Sequence, residues 1–276
     1  MKQHLEPVEI SRFENGKLRA VPDLVSVEEP LGIRLHYFDG QKPCYKDLSI
    51  TMRTPGADKE LALGFLYSEG IIRSYEEVES IAFLEESDDA WVSVNLKGDR
   101  KLDLANLERH FYTTSSCGVC GKTSIAAVQK ACPVILPQKK WQISQEILCS
   151  LPDVLRKSQN NFEFSGGIHA CGLFSLNGEL IALREDVGRH NALDKLIGSS
   201  LQNGMIPIFD YVLLLSGRAS FELIQKAGMA GVRFIAAIGA PSSLAVALAE
   251  EFDITLVGFL KGNRFNVYNG LDRISF

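Results

Sequence analysis

Residues 160–276 carry short apolar runs separated by helical patterns of about ten residues, and this alternation restricts the fold more than any other feature. Strands are predicted at Phe162 to Leu176, Leu180 to Leu183, Tyr211 to Leu215, Phe234 to Ile238 and Ile254 to Phe259. Helices are predicted between them. Ala192 to Ile197 ends at Gly198, Phe221 to Ala227 ends at Gly228, and Leu244, Ala247 and Leu248 share a face behind a Ser242 or Ser243 cap. Strand–helix alternation of this kind builds βα units with parallel strands. Asn177-Gly178 is a strong hairpin signal, so the stretch from Phe162 to Leu183 adds an antiparallel pair. The expected class is α/β, with a mixed sheet and flanking helices.

The first 110 residues read differently, as α+β. Pro43 to Thr54 has strand character. Asp58 is placed to cap a helix in which Leu61, Phe65 and Leu66 share a face, with Gly70 ending it. Ser74 to Glu77 has capping-box spacing and opens a helical turn. Ile81 to Leu84 and Trp91 to Leu96 read as two strands. A chain of 276 residues holds one to two domains at about 150 residues each. The expected division is a smaller amino-terminal domain over 1–110 and a larger domain over 111–276.

Charge and hydropathy narrow the function classes. The formal charge is −5, which disfavours nucleic-acid binding. No apolar run approaches the ~18 residues of a membrane helix, and the amino terminus lacks the pattern of a signal peptide. A cytoplasmic chain is expected, in which thiols stay reduced. Cysteines stand at 44, 117, 120, 132, 149 and 171, and only Cys117 and Cys120 are close together, so this is not a disulfide scaffold.

Those two thiols are the sharpest local feature. Cys117-Gly118-Val119-Cys120-Gly121 precedes Lys122 and an apolar-periodic segment, so a helix is predicted to begin near Lys122. Thiolates at a helix amino terminus beside a lysine have depressed pKa values and are nucleophilic at neutral pH. By itself the motif reads equally well as half of a zinc site. His169 and Cys171, two apart on a strand, would complete a four-ligand set with Cys117 and Cys120. No His-x-Glu accompanies His110, and Ser116 stands where zinc deaminases carry Pro, so hydrolytic deamination lacks its parts. Ser116 also occupies the glycine position that a phosphate-binding loop ending in Gly121-Lys122-Thr123 requires, which argues against ordinary ATP hydrolysis.

Three later turns offer a second chemistry. Ser216-Gly217-Arg218, Gly239 to Ser242 and Phe259 to Arg264 each follow a predicted strand. Ligands of open α/β sheets sit outside the carboxyl ends of strands, where helix amino termini favour phosphate. Arg218, Lys261 and Arg264 add positive charge there. Glu185 to Lys195 is an unusually polar run between a strand and a helix. His190 within it reads as a proton carrier or as a hydrogen-bonded structural histidine.

Taken together, these segments resemble the formate dehydrogenase accessory family, the FdhD sulfurtransferases. Ser115 to Gly121 resembles that family's cysteine loop, and Gly166-Gly167-Ile168-His169-Ala170 its Gly-Gly-x-His-Ala element. Glu185 to Lys195 resembles its Glu-Asp-Val-Gly-Arg-His-Asn-Ala-x-Asp-Lys element. Ser216-Gly217-Arg218 and Gly258 to Arg264 match two more. Cys171 departs from the pattern, standing in place of a second alanine.

The resemblance implies a sulfurtransferase that takes sulfur as a persulfide from a cysteine desulfurase. It would pass the sulfur to the bis-molybdopterin guanine dinucleotide molybdenum cofactor of formate dehydrogenase. It implies Cys117 as the persulfide carrier, with Cys120 as a resolving or tuning thiol. Phe259, Leu260, Lys261, Gly262, Asn263 and Arg264 are implied as cofactor-binding, and Arg218 is added by its charge. The carboxy-terminal domain is expected to be cytidine-deaminase-like, without the deaminase metal. A homodimer is compatible with this reading, and no tightly bound resident cofactor is expected. The competing functions are a zinc-stabilised cofactor chaperone and a dithiol oxidoreductase.

Overall fold

The computed structural model describes residues 4–40, 42–86, 89–98 and 141–276. It opens with strands that the sequence reading did not assign. β1 (Leu5–Glu14) and β2 (Lys17–Ser26) form an antiparallel hairpin. Asn15 and Gly16 supply its turn, with φ of 50° and 77°, as a type I′ connection demands. Residues 11–20 are all exposed, so this hairpin has no buried face to impose a hydrophobic alternation on its distal half.

β3 (Glu29–Asp39), β4 (Lys42–Arg53), β5 (Val78–Glu86) and β6 (Asp89–Leu96) form a four-stranded sheet in the order β4-β3-β6-β5. Helix α1 (Asp58–Ser68) packs with its inner face. Asp58 does not cap that helix. Ala57 occupies the cap position with φ 54°, and the Asp58 carboxylate instead accepts from Arg53 Nε at 2.7 Å. The buried Arg53 guanidinium needs that charge more than the helix end does, and Glu29 at 3.2 Å adds a second carboxylate. A single 3-10 turn at Tyr75–Glu77 stands where the capping-box spacing placed one.

From Trp141 the chain runs through β7 (Ile143–Ser144), α2 (Gln145–Ser158) and α3 (Asn160–Ser165). The stretch Phe162–Ser165 is therefore helical rather than the start of a strand. Gly166, at φ 63°, ends the helix, and the strand begins only at His169. Next come β8 (His169–Ser175), β9 (Leu180–Asp186), α4 (Arg189–Gln202), β10 (Tyr211–Leu215), α5 (Phe221–Met229), β11 (Phe234–Ala237), α6 (Ser243–Glu251), β12 (Thr255–Lys261), β13 (Arg264–Asn269) and β14 (Ile274–Ser275). Six of these strands form one sheet in the order β13-β12-β11-β10-β8-β9. β10, β11 and β12 are parallel, and β8–β9 is the antiparallel hairpin turned at Asn177-Gly178. The mixed α/β class read from the sequence is the class observed.

Two of the predicted helix ends are too early. α4 continues past Gly198 and α5 past Gly228. Both glycines serve close packing: a Cβ on Gly198 would stand 1.9 Å from the Glu60 carbonyl oxygen, and one on Gly228 2.7 Å from the Phe252 ring. The last predicted loop is also shorter than expected. β12 runs to Lys261 and β13 starts at Arg264, leaving Gly262 and Asn263 as the turn.

The layers follow from two cores. On one face of the large sheet, Leu148, Leu151 and Leu155 of α2 pack on Phe174, Val212, Leu214 and Phe234. On the other, Leu173, Leu213, Ile235 and Leu256 meet α4, α5 and α6. The same cluster continues through Leu61 and Leu66 of α1 to Leu31, Ile33, Val92 and Val94 of the four-stranded sheet. Among the described residues, no helix is long and apolar enough to cross a membrane.

Candidate functional site at the strand ends

The parallel strands β10, β11 and β12 end at one edge of the large sheet, and the turns that follow them are joined by main-chain hydrogen bonds. Gly239 N donates to Gly217 O at 3.0 Å, and Phe259 N donates to Gly239 O at 3.0 Å. Ala219 N donates to Ala240 O at 3.1 Å, and Ser242 N to Ala219 O at 3.0 Å. The three turns singled out in the sequence thus form a continuous row. A Cβ at Gly239 would stand 3.0 Å from the Gly217 carbonyl, and one at Gly258 2.9 Å from Pro241 and 3.0 Å from the Tyr268 ring. This is why glycine stands at both.

Phe259 follows Gly258 in the left-handed region, at φ 54°, with its side chain 41% exposed. Such a conformation costs a bulky residue about 1–2 kcal/mol. Leu260 turns back into the core beneath it, so the two side chains diverge at a local irregularity between Gly258 and Lys261. Lys261, Gly262, Asn263 and Arg264 form the exposed hairpin end, and Lys261 pairs with Arg264 in register. Arg218 is exposed on the neighbouring turn. Among the described residues, none of these three cations is in an ion pair. Helices α5 and α6 start from the same edge, the latter capped by Ser242, whose Oγ accepts from Ala245 N at 3.3 Å. A glycine-lined row with free cations, two helix amino termini and an outward aromatic ring suits an anionic ligand that carries a flat ring.

The row continues onto β8, which runs antiparallel and so begins at this edge. Ala170 N donates to Ser216 Oγ at 2.8 Å, and Ser216 N to Ala170 O at 3.0 Å. The His169 ring lies against Gly217, where a Cβ would come within 3.2 Å of it. Burial lowers the His169 pKa, and the charges of Arg189 and His190 lower it further against an opposing Asp186.

Most of the polar run from Glu185 to Lys195 joins the two halves of the molecule. Asp186 is fully buried and accepts from Lys195 Nζ at 2.7 Å, Gly188 N at 2.8 Å and Thr54 N at 3.2 Å. Lys195 Nζ also donates to Thr54 O at 2.8 Å. Asn191 donates to Met52 O at 2.7 Å and accepts from Thr51 Oγ1 at 3.1 Å. His190 Nε2 lies 3.0 Å from Glu222 Oε2 and 3.4 Å from Ser220 Oγ, so this histidine is hydrogen-bonded at the start of α5. That bond holds the Glu222 carboxyl below the usual carboxylate range. Arg189 and Glu222 had no role in the sequence reading. Glu222 carries no local signal, being one acid in the first turn of an amphipathic helix.

Cys117 and Cys120 lie outside the described residues, as do Cys132, the helix expected from Lys122 and the division at residue 110. Cys171 shares a strand face with His169, as expected, but is buried beside Leu173 in the sheet core. Burial pushes its thiol far above the ordinary range, with Asp194 and Asp186 adding to the effect. It serves packing. Cys44 lies on β4 and Cys149 on α2. Among the described residues, no three His, Cys, Asp or Glu side chains are grouped to hold a metal ion.

Comparison with known proteins places this geometry in a family. The FdhD/NarQ family profile matches residues 27–275. The chain is 47% identical over 274 residues to the sulfur carrier protein FdhD of Streptomyces coelicolor, covering 96% of this chain and 94% of that one. It is 41% identical over 270 residues to the sulfur carrier protein FdhD of Sulfolobus acidocaldarius, covering 98% of each. A crystal structure described as that of a formate dehydrogenase accessory protein from Desulfotalea psychrophila shares the fold. Its TM-score is 0.73 over 99% of this chain and 100% of that one, at 24% identity.

Proposed function

Because the chain belongs to the FdhD/NarQ family, we propose that it is a sulfur carrier in formate dehydrogenase maturation. It receives persulfide sulfur from a cysteine desulfurase on Cys117 and delivers it to the bis-molybdopterin guanine dinucleotide molybdenum cofactor, which is its substrate. The observation that carries the cofactor half is Phe259. A phenylalanine held at φ 54° and turned outward, beside free Lys261 and Arg264, is a strained arrangement of the kind that ligand sites retain. Its ring is suited to stack on guanine or pterin, while Arg218, Lys261 and Arg264 take up phosphate.

The sulfur half rests on the family and on thiol chemistry. In a persulfide the outer sulfur is bonded to the Cys117 sulfur. Attack of the Cys120 thiolate on the Cys117 sulfur forms a disulfide, breaks the S–S bond to the outer sulfur and releases it as hydrosulfide. Residues 111–276 are read as the cytidine-deaminase-like domain. An antiparallel hairpin followed by three parallel strands with intervening helices supports that reading.

The test is mass spectrometry of the full chain after incubation with a cysteine desulfurase and cysteine. One added sulfur, about 32 Da, on Cys117 is expected, since persulfidation adds a single atom. No added sulfur, or sulfur on another cysteine with Cys117 unmodified, overturns the proposal.

A further inference from the structure

Arg189 opens α4 at the strand-end edge, and its Nε is buried without a hydrogen-bond acceptor among the described residues. A guanidinium N–H in that state has lost its water and received nothing in return. His169, on the same edge, has its ring against Gly217, and among the described residues neither ring nitrogen makes a hydrogen bond. Arg189 acts electrostatically on both His169 and Glu222. The carboxylates facing this corner are committed elsewhere, Asp186 to Lys195 and Glu222 to His190. Among the described residues, the Arg189 Nε–H and the His169 ring are therefore left without an acceptor at this edge, within electrostatic reach of each other. We propose that Arg189 and His169 form an anion pocket, separate from the Phe259–Arg264 hairpin, that holds a sulfur monoanion, the terminal sulfur of a persulfide or the hydrosulfide it releases.

Charge and size bear on the ligand. The Arg189 guanidinium offers a cation that a small monoanion balances, whereas phosphate is bulkier and carries more oxygens to desolvate. Sulfur anions are also less strongly hydrated than phosphate, so a partly buried place costs them less to enter. Position agrees. Phe259, near the end of β12, and His169, at the start of β8, lie on strands three places apart in the sheet, roughly 14 Å at the usual strand spacing. A cofactor anchored by its guanine end at Phe259 could extend along the glycine row with its reacting end at Arg189 and His169. The inference rests on the sulfur-carrier reading for its biological ligand, but the pocket itself does not depend on it.

The probe is sodium hydrosulfide, titrated anaerobically into the full chain, with the His169 ring resonance followed by NMR and assigned through His169→Gln. A bound anion favours the imidazolium, so hydrosulfide should raise the His169 pKa in a saturable manner. Inorganic phosphate should do so at least tenfold less effectively. Arg189→Gln should weaken the hydrosulfide response at least tenfold while GDP affinity, read at the Phe259 hairpin, stays unchanged and reports a folded chain. Arg189→Lys, which keeps the charge and loses Nε, should recover only part of the response. No saturable response, an equal response in Arg189→Gln, or a stronger response to phosphate overturns the pocket. Failure of Cys117 to take up sulfur while the hydrosulfide response persists overturns the carrier reading and leaves the pocket standing.

Discussion

Gly64 on α1 lies so close to Asp194 on α4 that a Cβ there would stand 1.8 Å from the Asp194 carbonyl oxygen. Gly198 makes the reciprocal approach to Glu60 at 1.9 Å. Two glycines therefore set the distance between the helices that join the four-stranded sheet to the larger one. Gly64→Ala or Gly198→Ala must push the helices apart, and overpacking of this kind costs about 1–3 kcal/mol. Urea unfolding should show a lower midpoint for each. The double variant should cost less than the sum, because one displacement relieves both clashes. Unchanged midpoints would mean that the helices do not meet this closely.

Beside that crossing, Lys226 Nζ lies 2.9 Å from Asp194 Oδ2 and 2.8 Å from Ser68 Oγ, with Glu69 at 3.5 Å. Burial works against a charged Lys226, and the carboxylates of Asp194 and Glu69 outweigh it, so its pKa is raised. Lys226→Met leaves Asp194 buried without its cation and should cost about 3–5 kcal/mol. Combining it with Asp194→Leu should recover part of that loss, since no buried charge is then orphaned. Chemical denaturation of the three variants reads the coupling directly.

Phe259→Gly separates strain from stacking. Glycine relieves a left-handed backbone worth about 1–2 kcal/mol. The gain is offset by roughly 0.4–1 kcal/mol from a freer unfolded chain. Thermal stability should therefore hold or rise slightly. GDP affinity should fall by about tenfold or more, because aromatic stacking on a base is worth about 1–3 kcal/mol. A variant that loses stability and keeps GDP affinity would make Phe259 a packing residue.

Arg264→Ala should weaken GDP binding about ten- to a hundredfold, the equivalent of a charge-assisted contact of roughly 1.5–3 kcal/mol. Sulfur loading of Cys117 should not change, since that step precedes the cofactor. Calorimetry beside the persulfide assay tests both parts. Loss of loading with affinity intact would reassign this hairpin to partner docking.

The cysteines should divide by reactivity. Cys171 is buried with its thiol pushed far up, so iodoacetamide at neutral pH should leave it unmodified until the chain is unfolded. Cys117→Ala should abolish formate dehydrogenase activation, whereas replacing Cys44, Cys132 and Cys149 together by Ala should not. Peptide mapping after alkylation and an activation assay decide each part, and rapid native-state labelling of Cys171 would contradict its packing.

Much of this molecule is legible along the chain, and the legible parts are those with local causes. The runs Tyr211–Leu215 and Phe234–Ala237 show themselves because a strand buried on both faces needs an unbroken apolar segment. Asn177-Gly178 announces its hairpin because the turn needs positive φ. The β1–β2 hairpin escaped because its exposed distal half has no buried face to set a period. Gly198 and Gly228 read as helix ends because a glycine that stops a helix and one that admits a neighbour look the same in one dimension.

The sequence by itself determined the strand–helix alternation, and with it the edge at which Gly217, Gly239 and Phe259 had to gather, because parallel βα units put all their carboxyl ends on one side. Only the tertiary structure decided what the polar run from Glu185 to Lys195 is for. Lys195 reaches Thr54 across 141 positions of sequence, and Asn191 reaches Met52 across 139. With those partners supplied, Asp186, Asn191 and Lys195 become a buried clamp, and Arg189 of the same run keeps a buried N–H without an acceptor among the described residues. Periodicity along a chain reports which side of an element is buried. It carries no record of which distant group will satisfy a buried charge, because that pairing is set by how the layers pack.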